Sequence, residues 1–299
     1  MQSLFLFDGN ALVHRAYHAY PANLTTSSGQ QVNAVYGFAR MLLKVWQDWQ
    51  PTHVAVAFDT GAPTFRHQQF APYKEGRPEM EQALVDQLPL IRELVEVFNI
   101  PQFAIDGYEA DDVLATIAIK ALAVSPVLMA TVVTGDRDLL QLLRDRLFIM
   151  MPVNGFSHTV TYDSAMFQEK YGFSPSQLID YKGLRGDQSD NIPGVAGIGE
   201  KTATQLIKKY GSVEKIYHHL AGIPPSICEK LAAGAEIAVL SKKLATIDSH
   251  VPLQFDVDAC LAHDFDSEKV AGFFKKLEFK SLLSQIPSDQ VPDGQESLF

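Results

Sequence analysis

Cysteine is nearly absent: the 299 residues hold two, Cys228 and Cys260, far apart and without CxxC spacing. That excludes a disulfide framework and a cysteine zinc site, and it suits a reducing, cytosolic setting. Long apolar runs are missing too. The most apolar stretch, 121–133, is broken by Ser125 and Pro126 and is too short to span a bilayer, so no membrane role is expected. The opening MQSLFLFDGN has no basic n-region and reaches Asp8 early, so a secretory leader is not expected. Positive charge is not in excess: 25 Lys and Arg against 35 Asp and Glu give a net charge of −10. Taken whole, that argues against a nucleic-acid partner. The total conceals the distribution, because the acids fall in a few clusters and the basic residues gather elsewhere. Internal repeats and low-complexity tracts are lacking as well. What is there, 46% hydrophobic and 20% charged, describes a globular protein with a proper core, long enough for one large or two modest domains.

Four short apolar runs read as buried strands: Ser3–Phe7, His53–Phe58, Val127–Val133 and Arg146–Met151. Helical patterns lie between them at Ala34–Trp49, Glu81–Phe98 and Ala110–Ala123, with Pro89 expected to kink the second. Alternating strands and helices predict an α/β fold with a mostly parallel sheet and flanking helices. After about Tyr171 strand signals become rare. Amphipathic helices take over at Pro175–Leu184, Lys201–Tyr210, Ser212–Leu220, Ser226–Ala233 and Ala235–Ile247. The expected organisation is therefore an α/β domain over 1–172, a smaller all-helical region over 173–286, and a flexible polar tail over 287–299.

The acids sit at strand ends. Asp8 ends LFLFD, Asp59 ends VAVAFD, and Asp136 and Asp138 follow the third strand in TVVTGDRD. In open α/β sheets, sites form outside the carboxyl ends of the strands, so these side chains should meet at one edge. Glu109, Asp111 and Asp112 open the helix that precedes the third strand and add to the same rim. Each cluster alone also reads as ordinary structure: GYEADDV as a helix start that favours acids, Asp8-Gly9 as a turn. Together they would repel one another and raise one another's pKa values, a problem that a multivalent cation removes. All candidate ligands are hard oxygens, and the nine histidines show no metal-type pairing with these acids. That favours Mg²⁺ or Mn²⁺, and two such ions about 4 Å apart can hydrolyse a phosphodiester in line.

Five motifs, in order, resemble one family: DGN at Asp8, FD at Asp59, YEADD at 108–112, TGDRD at 134–138, and GDQSDNIPGVAGIGEKTA at 186–203. They are similar to the bacterial 5′ nucleases, the flap-endonuclease-like domain found at the N-terminus of DNA polymerase I and as free-standing enzymes. The resemblance runs from Ser3 to about Leu283. It implies structure-specific, metal-dependent cleavage near a 5′ flap junction, in primer removal and repair, leaving a 5′-phosphate and a 3′-hydroxyl. The family's metal positions carry over onto Asp8, Asp59, Glu109, Asp111, Asp112, Asp136, Asp138, Asp187 and Asp190. A first site is expected from Asp8, Asp59, Glu109 and Asp111, and a second from Asp136, Asp138, Asp187 and Asp190. Asp112 lies between the two and is the one least expected to ligate directly.

The same resemblance makes residues 62–80, extending to about 85, a helical arch for a single-stranded 5′ end. There a base would stack on Tyr73 while Arg66, Lys74 and Arg77 reach phosphates. Lys74 or Arg77 would also stabilise transition-state charge, and Arg15 matches a phosphate-contacting arginine. GVAGIGEKTA is not a P-loop, because Glu200 intervenes before Lys201 and no buried strand precedes it. It resembles the family's helix–three-turn–helix hairpin. There Gly197 and Gly199 let the backbone approach a duplex phosphate, Lys201, Thr202, Lys208 and Lys209 assist, and a K⁺ ion can bridge carbonyls to DNA. The ending QESLF, with Gln295, Leu298 and Phe299, resembles the peptide that docks bacterial replication proteins on the sliding clamp. The expected protein is a monomeric, cytoplasmic, nucleoid-associated bacterial enzyme acting on flapped, nicked or gapped duplex DNA. A catalytically weak junction-binding relative, or the N-terminal domain of a longer DNA polymerase I, remain as alternatives.

Overall fold

The computed structural model describes residues 2–153 and 158–289. Its frame is a six-stranded sheet of β1 (Gln2–Asp8), β2 (His53–Ala57), β3 (Gln102–Phe103), β4 (Leu128–Val133), β5 (Leu147–Val153) and β6 (His158–Tyr162). The order across the sheet is β3-β2-β1-β4-β5-β6. Every neighbour pair is parallel except β5 and β6. The chain order therefore reverses between β1 and β4, and a crevice opens above that switch point.

The central strands are apolar throughout because both of their faces are covered. Successive side chains alternate between two cores. Leu4 and Leu6 join Ala55, Ala57, Ala130 and Val132 under the helix Ala110–Val124. Phe5 and Phe7 join Val54, Val56 and Val133 on the other face, under the helices Asn33–Trp49 and Leu88–Val97. The pattern expected as one kinked helix over 81–98 is two helices, Gln82–Val85 and Leu88–Val97. Pro89 lies in the first turn of the second, where its missing N–H is not needed.

The helical region differs from expectation at its end. Its helices from Leu178–Arg185 to Ala235–Ala245 share the first core. The chain then passes beneath the sheet, where Ala262 N donates to Thr52 O at 2.9 Å. The helix Ser267–Lys276 packs on the opposite face, placing Phe265, Phe273, Phe274 and Phe279 in one core with Trp46 and Phe98. Residues 173–286 thus do not form one separate layer. β3, β6 and the helices Ser164–Tyr171 and Ser267–Lys276 also had no counterpart in the sequence patterns, whereas Phe65–Gln69 is a short helix within the segment expected as a helical arch. Among the described residues no helix is long and apolar enough to cross a membrane. Gln295, Leu298 and Phe299 lie outside the described residues.

Candidate active site at the carboxyl edge of the sheet

Asp8 ends β1, 3% exposed, and caps the helix Gly9–Ala19 by accepting from Ala11 N at 3.1 Å. Thr134, just past β4, donates to its other oxygen at 2.6 Å. Burial pushes the Asp8 carboxyl up to about 7; the Thr134 and Ala11 donors pull against this, while Asp136 and Asp59 add to it. Asp59, one residue beyond Phe58, accepts from Ala110 N at 2.8 Å and so ties the end of β2 to the start of the Ala110–Val124 helix. Glu109 caps that helix, with Asp111 in its first turn. Asp111 is held well above the carboxylate range, first by burial and then by Asp136, Asp8 and Glu109. Among the described residues no donor reaches its carboxyl group. Beyond β4, Thr134 accepts from Asp136 N at 2.9 Å and Asp136 accepts from Asp138 N at 2.8 Å, which folds the TGDRD turn back over the crevice.

The GDQSDNIP loop brings two more acids. Asp187 and Ile192 exchange backbone hydrogen bonds of 2.8 and 2.7 Å. Gly194 (φ +65°) packs against the backbone of Arg185 and Gly186, where an added Cβ would lie 2.2 Å from Gly186 N. Only glycine permits that approach. The closed loop aims Asp187 and Asp190 at the sheet edge.

Three cations on two segments meet these acids. Lys74 donates to Glu109 at 2.7 Å, and Arg77 pairs with Asp190. The segment carrying them is pinned to the loop, Lys74 N donating to Asp190 O at 2.9 Å and Asn191 Nδ2 to Pro72 O at 2.7 Å. Lys182, 7% exposed, bridges Asp138 and Asp187. Burial works to raise Asp187, but Lys182 and Ser189 outweigh it and hold this carboxyl below its usual range. Burial raises Asp138 to about 7 although Lys182 opposes it. Lys182 was not anticipated. The available signal was a charged residue one turn after Leu178 on the buried side of its helix.

Three expected site residues have other work. Arg66 is 2% exposed and donates to both oxygens of Asp112 at 2.7 and 2.8 Å, to Glu109 at 3.3 Å, and to the Leu244 and Thr246 carbonyls at 3.0 and 2.9 Å. No face of its guanidinium remains for a DNA phosphate. Asp112, fully buried, also accepts from Glu109 N and Asp248 N, so its oxygens are saturated and it leaves the ligand set. Tyr73 is 3% exposed, its hydroxyl donating to Glu109 at 3.2 Å and Asp190 at 3.0 Å, and offers no face for a base. Arg15 by contrast has a buried Nε with no acceptor, and no ion pair among the described residues. In the hairpin, Gly197 takes φ +77°, Gly199 caps the helix Glu200–Tyr210, and Lys201, Lys208 and Lys209 are exposed beside half-buried Thr202. The Gly197 carbonyl accepts from Lys230 at 3.3 Å.

In donor chemistry the crevice fits hard divalent cations: oxygens only, one carboxylate without a donor, and two raised to about 7. In geometry Glu109, Asp138, Asp187 and Asp190 are held by side-chain cations, and among the described residues no three of the acids are gathered closely enough to bind one ion as they stand.

Two family models match the chain: the 5′-3′ exonuclease N-terminal resolvase-like domain over residues 3–172, and the 5′-3′ exonuclease C-terminal SAM fold over residues 173–268. DNA polymerase I of Bacillus subtilis (strain 168) is 40% identical over 296 residues, covering 99% of this chain and 33% of that protein. The thermostable DNA polymerase I of Thermus aquaticus is 41% identical over 293 residues, covering 98% and 34%. The chain thus spans about a third of the length of these curated relatives. Among solved structures, the T5 D15 protein co-crystallised with metal ions superposes with a TM-score of 0.68 at 23% identity, over 93% of this chain and 99% of that one. The catalytic core of Rad2 in complex with DNA substrate gives 0.58 at 14% identity, over 95% and 91%. At such identities the structures speak for a shared fold. The family models and the polymerase relatives carry the assignment: this chain belongs to the 5′-3′ exonuclease family.

Proposed function

We propose that the chain is a structure-specific 5′ nuclease, a flap endonuclease and 5′-3′ exonuclease that uses Mg²⁺ or Mn²⁺, acting alone or as the N-terminal part of a DNA polymerase I. The observation that supports this is that Asp8, Asp59, Glu109, Asp111, Asp136 and Asp138 follow the strands at the switch point and lie near enough to act on one another's charge, though not to close on one ion as they stand, with Asp111 buried among acids and without a donor among the described residues. Asp8, Asp59, Glu109 and Asp111 would hold one ion, and Asp136, Asp138, Asp187 and Asp190 the other. Bound there, divalent ions supply a hydroxide at neutral pH and charge stabilisation at the scissile phosphate.

The chain's own residues do the positioning. Lys74 and Arg77, placed on Glu109 and Asp190, are the donors best situated to pass to a phosphate oxygen at the crevice mouth. Arg15 is a cation with no carboxylate partner among the described residues, on the helix that Asp8 caps, and is suited to a neighbouring phosphate. The N–H groups of the Gly199-capped helix, with Lys201, Thr202, Lys208 and Lys209, would hold the duplex backbone, so that shape rather than sequence selects the site. A K⁺ ion at this loop would compete with Lys230 for the Gly197 carbonyl.

The test is a 5′-labelled flap duplex incubated with Mg²⁺, with EDTA, and with the Asp136→Ala variant. Mg²⁺-dependent cutting near the junction, lost in the other two arms, is expected; its absence overturns the proposal. A sliding-clamp contact through Gln295, Leu298 and Phe299 is proposed from QESLF alone. Deleting 295–299 should abolish clamp pull-down and spare flap cleavage.

A further inference from the structure

We infer that Lys182 is an exchangeable counter-ion, occupying the second carboxylate set until a divalent ion arriving with substrate phosphate displaces it. The inference rests on the nuclease activity proposed above and concerns how its second metal set is loaded. Asp138 comes from the turn after β4 and Asp187 from the loop after the helix Leu178–Arg185. The Lys182 ammonium donates to both, so it stands between two of the four oxygen donors that the second ion needs.

An ammonium and a divalent ion cannot share that position, since both need the same lone pairs and repel each other at contact distance. Two other cations of the crevice, Lys74 and Arg77, are better placed to yield. The Lys74 and Arg77 side chains are 22% and 47% exposed, whereas that of Lys182 is 9% exposed. It cannot be screened in place by water and must move. It is built to move: a lysine is a point charge on a flexible four-carbon stem, and among the described residues its ammonium makes no hydrogen bonds besides those to Asp138 and Asp187. Arg66, fixed in the same crevice by acceptors on four residues, shows what a permanent buried cation looks like here.

Charge balance sets the order of events. Exchanging one ammonium for one divalent ion leaves the set one unit more positive, and one phosphodiester restores the balance. Without DNA the second set should therefore bind metal weakly. With DNA it should bind tightly, while the ammonium is released toward the phosphate.

The experiment measures Mn²⁺ binding by electron paramagnetic resonance on the full chain and on Lys182→Met, each with and without flap duplex. Removing the ammonium should tighten the second Mn²⁺ about tenfold or more without DNA. Flap duplex should then tighten it strongly in the wild type and little in the variant. Equal or weaker second-ion binding in the variant, or the same DNA effect in both chains, overturns the inference. If Lys182→Met is unfolded without metal, its circular dichroism is followed during Mn²⁺ addition, together with Lys182→Gln. Recovery of the fold by the ion supports exchange, and no recovery marks Lys182 as a fixed structural cation and overturns it. Flap cleavage by the wild type is scored separately. Cleavage with no Lys182 effect on binding refutes only the exchange, whereas neither Mn²⁺ binding nor cleavage in the wild type refutes the nuclease proposal beneath it.

Discussion

Replacing Arg66 separates a phosphate contact from a structural tie, because the two roles give opposite results. Its guanidinium joins three parts of the chain: the helix Phe65–Gln69 that bears it, Asp112 on the Ala110–Val124 helix, and the carbonyls of Leu244 and Thr246. With Arg66→Met, Asp112 stays fully buried and keeps only Glu109 N (3.1 Å) and Asp248 N (2.8 Å) as donors. Breaking a buried pair from one side costs about 3–5 kcal/mol, because a charge is left uncompensated. Against a usual domain stability of about 5–15 kcal/mol, that is a large fraction. The double variant Arg66→Met/Asp112→Asn removes the stranded charge yet leaves an amide oxygen for those two N–H groups, so it should recover roughly half of the loss. Urea denaturation of the metal-free chain, with midpoint and slope compared across the three proteins, reads this directly. Flap-DNA affinity measured in Ca²⁺ well below the transition should change little. An unchanged midpoint together with a several-fold loss of DNA affinity would refute the structural role and restore Arg66 as a phosphate contact.

Stability of the metal-free protein should fall with rising pH. Asp8 and Asp138 stand at about 7 in the fold against 3.8 for an ordinary aspartate. Between those values the folded chain holds protons that the unfolded chain has lost, so melting temperature declines from about pH 4 to about pH 7 and levels off above; saturating Mg²⁺ should flatten the curve, and a flat metal-free curve refutes the burial argument. Asp187, held low by Lys182, acts in the opposite sense but only below the ordinary carboxylate range. Asp111→Ala should stabilise the metal-free fold by roughly 1–3 kcal/mol, the scale of an unsatisfied buried polar group, and abolish Mg²⁺-dependent cleavage. Calorimetry showing lower stability would contradict the absence of a donor. Gly194→Ala must place a Cβ 2.2 Å from Gly186 N at φ +65°, costing about 2–5 kcal/mol in clash and strain, and should disorder the Asp187–Asp190 loop. A variant of unchanged melting temperature would show that the loop can shift.

The frame was legible because β1, β2, β4 and β5 are covered on both faces and announce themselves as apolar runs, the first three followed closely by acids. β3 and β6 were not. β3 is two residues long, and β6 is a half-buried edge strand that pairs on one side. The helix Ser267–Lys276 hid in a charged stretch, although the density of Phe265, Phe273, Phe274 and Phe279 pointed to a core. The inward turn of Arg66 had a readable cause as well: Thr64 and His67 form a capping box that starts a short helix within the segment expected as a helical arch, and that helix carries Arg66 toward the core. Lys182 was only half legible: a charged residue one turn after Leu178 on the buried side of its helix was visible, but its meaning depends on two acids brought together only in the fold. The separation of Asp111 from Asp112 was within reach. Consecutive residues of an α-helix point about 100° apart, so two adjacent acids cannot both face one crevice. One of the pair had to turn inward and find a buried cation. Asp111 keeps the crevice without a donor, and Asp112 holds Arg66. The repulsion written into EADD is thus divided between a side chain whose charge is already matched and one that still requires an ion.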